Sequence, residues 1–348
     1  MALSSFAVFA CIAGILAFKV QDSPDSVLVI NLTNYYNSQY YGNFSLGSPP
    51  QNFTVVFATS SSGSWISSTD CTSPFCLLHE NFNYTASSSV VLYPTENYDD
   101  LIFDRDIVGY LATDNARIGC SPLLKGFTFL LSDVVENYPV NSALYDGVIG
   151  LAASENYDGN FPTFIEFLYL QGLISQRTFS IYYSVSGNFQ SMLIIGGYDS
   201  TLYSGNITSI SNEGKGSVWQ LNVTSITVAG FNVPMSTNTA VIDSSQTGLV
   251  FPSSMQAFLQ KYTAVNNNCS NKLILPALVF TINGTAFTIG HDDYVIQVES
   301  EGSKSCSTTI YSNIGVDSST IVLGDSFLKA YYSYYDLEAG LMSFAKAN

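Results

Sequence analysis

Two segments of this chain repeat one pattern. Residues 54–66 (TVVFATSSSGSWI) and 239–251 (TAVIDSSQTGLVF) each run an apolar strand into Ala or Asp, then a hydroxyl-rich turn, then a second apolar strand. A second pair, DGVIGL (146–151) and IVLGDSFL (321–328), carries two aliphatics and a glycine ahead of the next element. A β unit that recurs within one chain implies two similar lobes, and clefts between lobes are where ligands usually bind. The length agrees, since 348 residues exceed what one hydrophobic core ordinarily serves.

Most of the remaining sequence also reads as strand. Runs rich in Val, Ile, Thr, Tyr and Phe at 53–57, 127–131, 180–183, 192–195, 221–228, 277–282 and 331–335 are separated by Gly, Ser, Asn and Pro. Helices are few: 163–171, after Pro162 and before Gly172, and 253–262, with Ser253 or Ser254 as N-cap.

Charge narrows the partners. Eleven Lys and Arg face 27 Asp and Glu, a net charge of −16. Such a surface repels phosphate backbones, so nucleic acid is excluded as a partner. The apolar run from Phe6 to Phe18, with Ala17 as a cleavage position, reads as a secretory signal over 1–17. No later stretch is long enough to span a bilayer, so no membrane association is expected after cleavage. Secretion fits eight glycosylation sequons, at Asn31, Asn43, Asn52, Asn83, Asn206, Asn222, Asn268 and Asn283. Of the six cysteines, Cys11 leaves with the signal, Cys71 pairs with Cys76 across a short loop, and Cys269 pairs with Cys306. Cys120 is left over and is expected to be a buried, inert thiol. Only His79 and His291 are present, in different halves. A Ser-His-Asp arrangement or a zinc site is therefore not expected, nor is any other metal or cofactor.

Particular motifs go further. Tyr40-Tyr41-Gly42, LGSPPQ (46–51), the FATSSSGSWI turn, CTSPFC, DGVIGLA, AVIDSSQTGLVFP and IVLGDSFLKAYYSYYD follow one another in an order that resembles the pepsin-like aspartic peptidase family over nearly all of the chain after the signal. The resemblance implies an all-β fold with few short helices: a bilobal double β-barrel, with lobes at 18–183 and 184–348, a long cleft, and a hairpin flap near 101–109. It implies a monomer in the extracellular space or the endolysosomal lumen.

It also implies a chemistry. The family places one aspartate from each lobe, each in an Asp-Thr-Gly turn, around one water. The two carboxyls share a proton, so that one acts as base while the other acts as acid. Here the second turn reads Asp243-Ser244-Ser245 and the first Ala58-Thr59-Ser60. Ala58 stands where the first aspartate belongs, and a methyl group neither binds nor deprotonates water. Ser60 and Ser245 replace the two glycines, while Thr59 and Ser244 keep the hydroxyls that tie the turns together. Asp243 is then expected to be a structural acceptor on the cleft floor. At the flap tip, Phe103, Asp104, Arg105 and Asp106 replace the family's tyrosine and glycine run. Trp65 matches the family's tryptophan and is expected to pack. The short stretch from Lys19 to Gln39 has one Lys and no Arg, so no basic prosegment is expected there.

The expected protein is thus a catalytically inactive homologue that binds a peptide or protein ligand in its cleft. The alternative is an aspartic-type endopeptidase with weak or altered activity at acid pH. A third reading is a secreted glycoprotein with an idle cleft.

Overall fold

A computed structural model describes residues 27–102, 105–136, 143–154, 156–157, 161–185, 189–214, 218–300, 302–313 and 319–348. The expected signal at 1–17 lies outside them. The described chain is mostly strand, with short helices between strands.

The first half opens with β1 (Leu28–Tyr35), β2 (Gln39–Leu46), β3 (Gln51–Ala58) and β4 (Trp65–Ser67). It continues with β5 (Val91–Ile102), β6 (Arg105–Ile118), β7 (Leu124–Val135) and β8 (Gly147–Gly150). Period-two alternation sets the sheet faces. In β2, Tyr40, Gly42, Phe44 and Leu46 are buried while Gln39, Tyr41, Asn43 and Ser45 face outward. In β3 the alternation stops after Val55, and Val56, Phe57 and Ala58 are all buried. The strand runs there beneath structure on both faces.

The connections around β3 explain why the sequence repeats. β8 runs parallel to β3, with Ala58 level with Gly150, and antiparallel to β4. β4 in turn runs parallel to β7. The chain leaves β3, skips a strand position and returns as β4, and β8 fills the gap. The second half does the same. Thr239–Ile242 runs parallel to Ile321–Leu323, which lies antiparallel to Leu249–Pro252, itself parallel to Ile310–Asn313.

The first inserted strand ends on Gly150 and the second is followed at once by Gly324, each packed closely against the turn beside it. A Cβ on Gly150 would sit 2.5 Å from the Gly63 carbonyl oxygen and 2.6 Å from that of Ser61. On Gly324 it would sit 2.2 Å from the Gln246 oxygen and 2.5 Å from that of Gly248. This close approach is what the two glycine-bearing echoes encode.

One sheet joins the halves. β1 pairs with Ser191–Ile195 on one side and with β2 on the other, while Thr178–Tyr182 and the C-terminal strands Tyr331–Asp336 and Leu341–Ala347 extend the sheet outward. Trp219, from the second half, donates its indole N–H to the Leu151 carbonyl at 2.8 Å. The main core runs through both halves without a break.

The helices are α1 (Phe164–Leu170), α2 (Ser253–Thr263), α3 (His291–Tyr294) and α4 (Asp325–Ala330). The N-cap of α2 is Pro252, not either serine. Ser253 is already helical, and the Ser254 hydroxyl is engaged with Ser236 at 2.9 Å.

Disulfides join Cys71 to Cys76 and Cys269 to Cys306. Cys120 departs from expectation. It is disulfide-bonded, and it is exposed rather than buried. It lies in the turn that follows β6, where Gly119 takes φ +54° and the chain faces solvent.

Candidate active site

The repeated motif brings its two turns together, one after β3 and one after Thr239–Ile242. Four hydrogen bonds join them. The Thr59 hydroxyl donates to the Ile242 carbonyl at 2.7 Å and accepts the Ser244 N–H at 3.0 Å. The Ser244 hydroxyl donates to the Phe57 carbonyl at 2.5 Å and accepts the Thr59 N–H at 3.0 Å. Thr59 and Ser244 are related by a local two-fold, and so are the residues that precede them, Ala58 and Asp243. Both of these are buried, at 2% and 3% exposure, each at the start of its turn.

The chain matches the eukaryotic aspartyl protease family over residues 39–347. It belongs to that family. It is 30% identical over 334 residues to Pepsin II-1 of Oryctolagus cuniculus, which covers 89% of this chain and 81% of that protein. It is 31% identical over 327 residues to Pepsin A of Sus scrofa, covering 88% and 80%. It is 28% identical over 332 residues to Probable vacuolar protease A of Trichophyton verrucosum (strain HKI 0517), covering 91% and 80%.

Within this aspartyl protease fold, the two halves of the floor are chemically unequal. Asp243 Oδ1 accepts the Ser245 N–H at 2.9 Å and the Ser245 hydroxyl at 2.6 Å. The serine that replaces a turn glycine has thus become a ligand of the remaining carboxylate. Its counterpart, Ser60, has a buried hydroxyl that meets no partner among the described residues. The Ala58 methyl joins an apolar cluster with Val56, Trp65, Ile107, Tyr145 and Val148. Trp65 is 1% exposed and stacks edge-on against Phe75 with centroids 5.7 Å apart. The two turns thus present one carboxyl, that of Asp243, and one methyl, that of Ala58.

The floor is braced from below by residues that the motifs did not single out. Tyr183 stacks on Tyr40 with ring centroids 3.8 Å apart and donates its hydroxyl to the Ser244 carbonyl at 3.1 Å. Burial raises both phenols well above their ordinary range. Asp325, at the start of α4, accepts the Gly248 N–H at 2.6 Å and lies 3.8 Å from Lys329 Nζ. Burial pushes its carboxyl up to about 6, against the pull of Lys329. Lys329 also donates to the Asn37 carbonyl at 2.8 Å, and Thr247 donates to the Ser38 carbonyl at 2.6 Å. These contacts pin the β1–β2 turn to the second half. The only sequence signal for Asp325 is its place in the LGD echo, and Tyr183 has none.

The remaining expected site residues divide clearly. Phe103 and Asp104 lie outside the described residues. The hairpin strands close as far as the pair Ile102 and Arg105, and the backbone of Arg105 and Asp106 belongs to β6. His79 Nδ1 and Nε2 meet the carbonyls of Phe75 and Ala143 at 2.8 and 3.1 Å, whereas His291 lies 3.2 Å from Asp292. Among the described residues no cluster of His, Cys, Asp and Glu could hold a metal ion. None of their helices is long and apolar enough to cross a membrane. All eight sequon asparagines are exposed, those in strands included.

Proposed function

We propose that this aspartyl protease homologue does not cleave peptides, and that its inter-lobe cleft binds a peptide or protein ligand instead. The observation that carries this reading is Ala58, which holds in the first turn the position that Asp243 holds in the second and is buried in an apolar cluster with Val56, Trp65 and Ile107. The shared proton of the family's mechanism needs two carboxyls. A positioned acid–base group contributes roughly 10²–10⁴-fold to rate, so losing one leaves little turnover. The intact Thr59–Ser244 tie supports a cleft kept in shape without that chemistry. The eight exposed sequons and the disulfides Cys71–Cys76 and Cys269–Cys306 support passage through the secretory route to the extracellular space or an endolysosomal lumen.

The test is cleavage of long fluorogenic peptides between about pH 3 and 7, within the range where carboxyl pairs titrate. The expected outcome is no turnover beyond that of Asp243→Ala. Ala58→Asp alone should do little, because Ser60 and Ser245 crowd the rebuilt pair. Ala58→Asp with Ser60→Gly and Ser245→Gly should raise acid-dependent cleavage by about 100-fold over background, the lower end of one acid–base contribution. Wild-type turnover that vanishes in Asp243→Ala would overturn the proposal. A peptide-library screen on the wild type at acid and neutral pH tests the binding half, and an empty screen would favour an idle cleft.

A further inference from the structure

A glycosylation sequon set in a β-strand has fixed geometry. Side chains alternate between faces, so the acceptor asparagine and the hydroxyl two residues on share one face. In β2, Asn43 and Ser45 point outward around buried Phe44; in β3, Asn52 and Thr54 point outward around buried Phe53. The strands pair antiparallel with Asn43 opposite Thr54, Phe44 opposite Phe53 and Ser45 opposite Asn52. Each sequon's asparagine therefore faces the other's hydroxyl residue. The two asparagines are diagonal neighbours, about 7–8 Å apart.

They also share a cavity of about 330 Å³ whose rim includes Asn43, Ser45, Asn52, Thr54, Glu80 and Arg117. Arg117 reaches it from β6, where it pairs with Ser45, and directs Nη1 to the Ser121 carbonyl at 3.2 Å. The rest of its guanidinium fork offers further donors, and the Glu80 carboxylate offers acceptors. A space of this size lies at the lower end of small-ligand pockets and suits one sugar with its acetamido arm. Sugar hydroxyls need donors and acceptors together, and this rim supplies both.

We propose that this cavity seats an N-linked glycan carried by Asn43 or Asn52, never by both, with its first N-acetylglucosamine between Arg117 and Glu80. The proposal rests on the secretory reading above. In the transfer, a polyprenyl-pyrophosphate-linked oligosaccharide gives up its sugar C1 to the asparagine side-chain nitrogen. A C–N bond forms, the C1–O bond to pyrophosphate breaks, and the lipid pyrophosphate and one proton leave. Two such sugars on the folded protein would compete for one cavity above one pair of strands.

The experiment expresses the full chain in a eukaryotic secretory host. Enzymatic release of N-glycans in ¹⁸O water marks each glycosylated asparagine as labelled aspartate. Tandem mass spectrometry then reads the peptide that carries both sequons. The expected result is one label per peptide, divided between the two positions. Asn43→Gln should drive it wholly to Asn52, and Asn52→Gln wholly to Asn43. On the native protein this glycan should be released about tenfold more slowly than glycans elsewhere on the chain, and Arg117→Ala should abolish the difference. Two labels on one peptide overturn the proposal, as does no label here while other sequons carry glycans. A single label with ordinary native release overturns the seat. No label at any of the eight sequons overturns the secretory reading as well.

Discussion

Each hydroxyl of the floor tie satisfies two backbone groups of the opposite turn, and both side chains are buried. Thr59→Val keeps the shape but leaves the Ser244 N–H and the Ile242 carbonyl unpaired; Ser244→Ala does the same to the Thr59 N–H and the Phe57 carbonyl. Leaving buried polar groups unpaired costs about 1–3 kcal/mol each, so each variant should lose about 2–6 kcal/mol in denaturant titrations. The four bonds form one network across two residues. Once the first variant lets the turns part and water enter, the second loss is smaller. The double variant should therefore cost less than the sum, by at least about 0.5 kcal/mol. Strict additivity would mean that the hydroxyls act independently and that the turns are held by something else. The same scale accounts for Ser245. As a residue type it reads only as added bulk on the floor, and only its geometry reveals that it binds the retained carboxylate.

At the scale of elements, what the sequence announced was the repeat, and what it left silent was the bracing around it. The echoes at 54–66 and 239–251 fall on β3 with β4 and on their second-half counterparts, because buried central strands and a fixed turn leave little freedom in residue type. Gly150 and Gly324 were legible for the same reason. Tyr183 was not, because a tyrosine in the strand Thr178–Tyr182 and its continuation reads as one more buried aromatic until its partner 61 residues away is known. The disulfide of Cys120 was also illegible, since its expected burial depended on where a turn would point. The glycine contacts give a direct test. Gly150→Ala and Gly324→Ala push a methyl against rigid turn carbonyls and should each cost about 3 kcal/mol, the upper range of overpacking. Gly126→Ala is the control: Gly126 has φ +70° with nothing within 4 Å of a Cβ, so only backbone strain of about 1–2 kcal/mol applies. Equal losses at all three positions, read as shifts in denaturation midpoint, would remove the steric explanation for the echoed glycines.

The whole molecule carries its acids in a way that favours acid conditions. Burial raises the carboxyls of Asp325, to about 6, and of Asp146 and Asp293 above their ordinary range. A carboxyl raised on folding holds a proton that the unfolded chain gives up. Its neutral form is matched to the fold below the unfolded value near 4, and stability is lost as pH rises through the folded value. For Asp325 the rise from 3.8 to about 6 corresponds to about 3 kcal/mol lost between acid and neutral pH. Asp292 runs the other way: burial pushes it up, but Lys272 at 2.9 Å and His291 hold it below its ordinary range. The Asp292 carboxylate is itself largely exposed, so the pair offsets little. The net charge of −16 adds self-repulsion that grows in the same direction as the carboxyls ionise. Thermal unfolding should accordingly occur several degrees higher at pH 4.5 than at pH 7.5, within the range set by a few kcal/mol in a chain of this size. The two causes separate. Added salt at neutral pH screens the surface repulsion and recovers that share, but it leaves the buried carboxyl untouched. Asp325→Asn keeps an acceptor for the Gly248 N–H and cannot ionise, so it should flatten the pH slope by about 2–3 kcal/mol at any salt concentration. A variant with the wild-type slope would show that Asp325 is not its source. A melting temperature that climbs from pH 4.5 to 7.5 would show that the buried acids are stabilised as anions, and the argument for acid stability would fail with them.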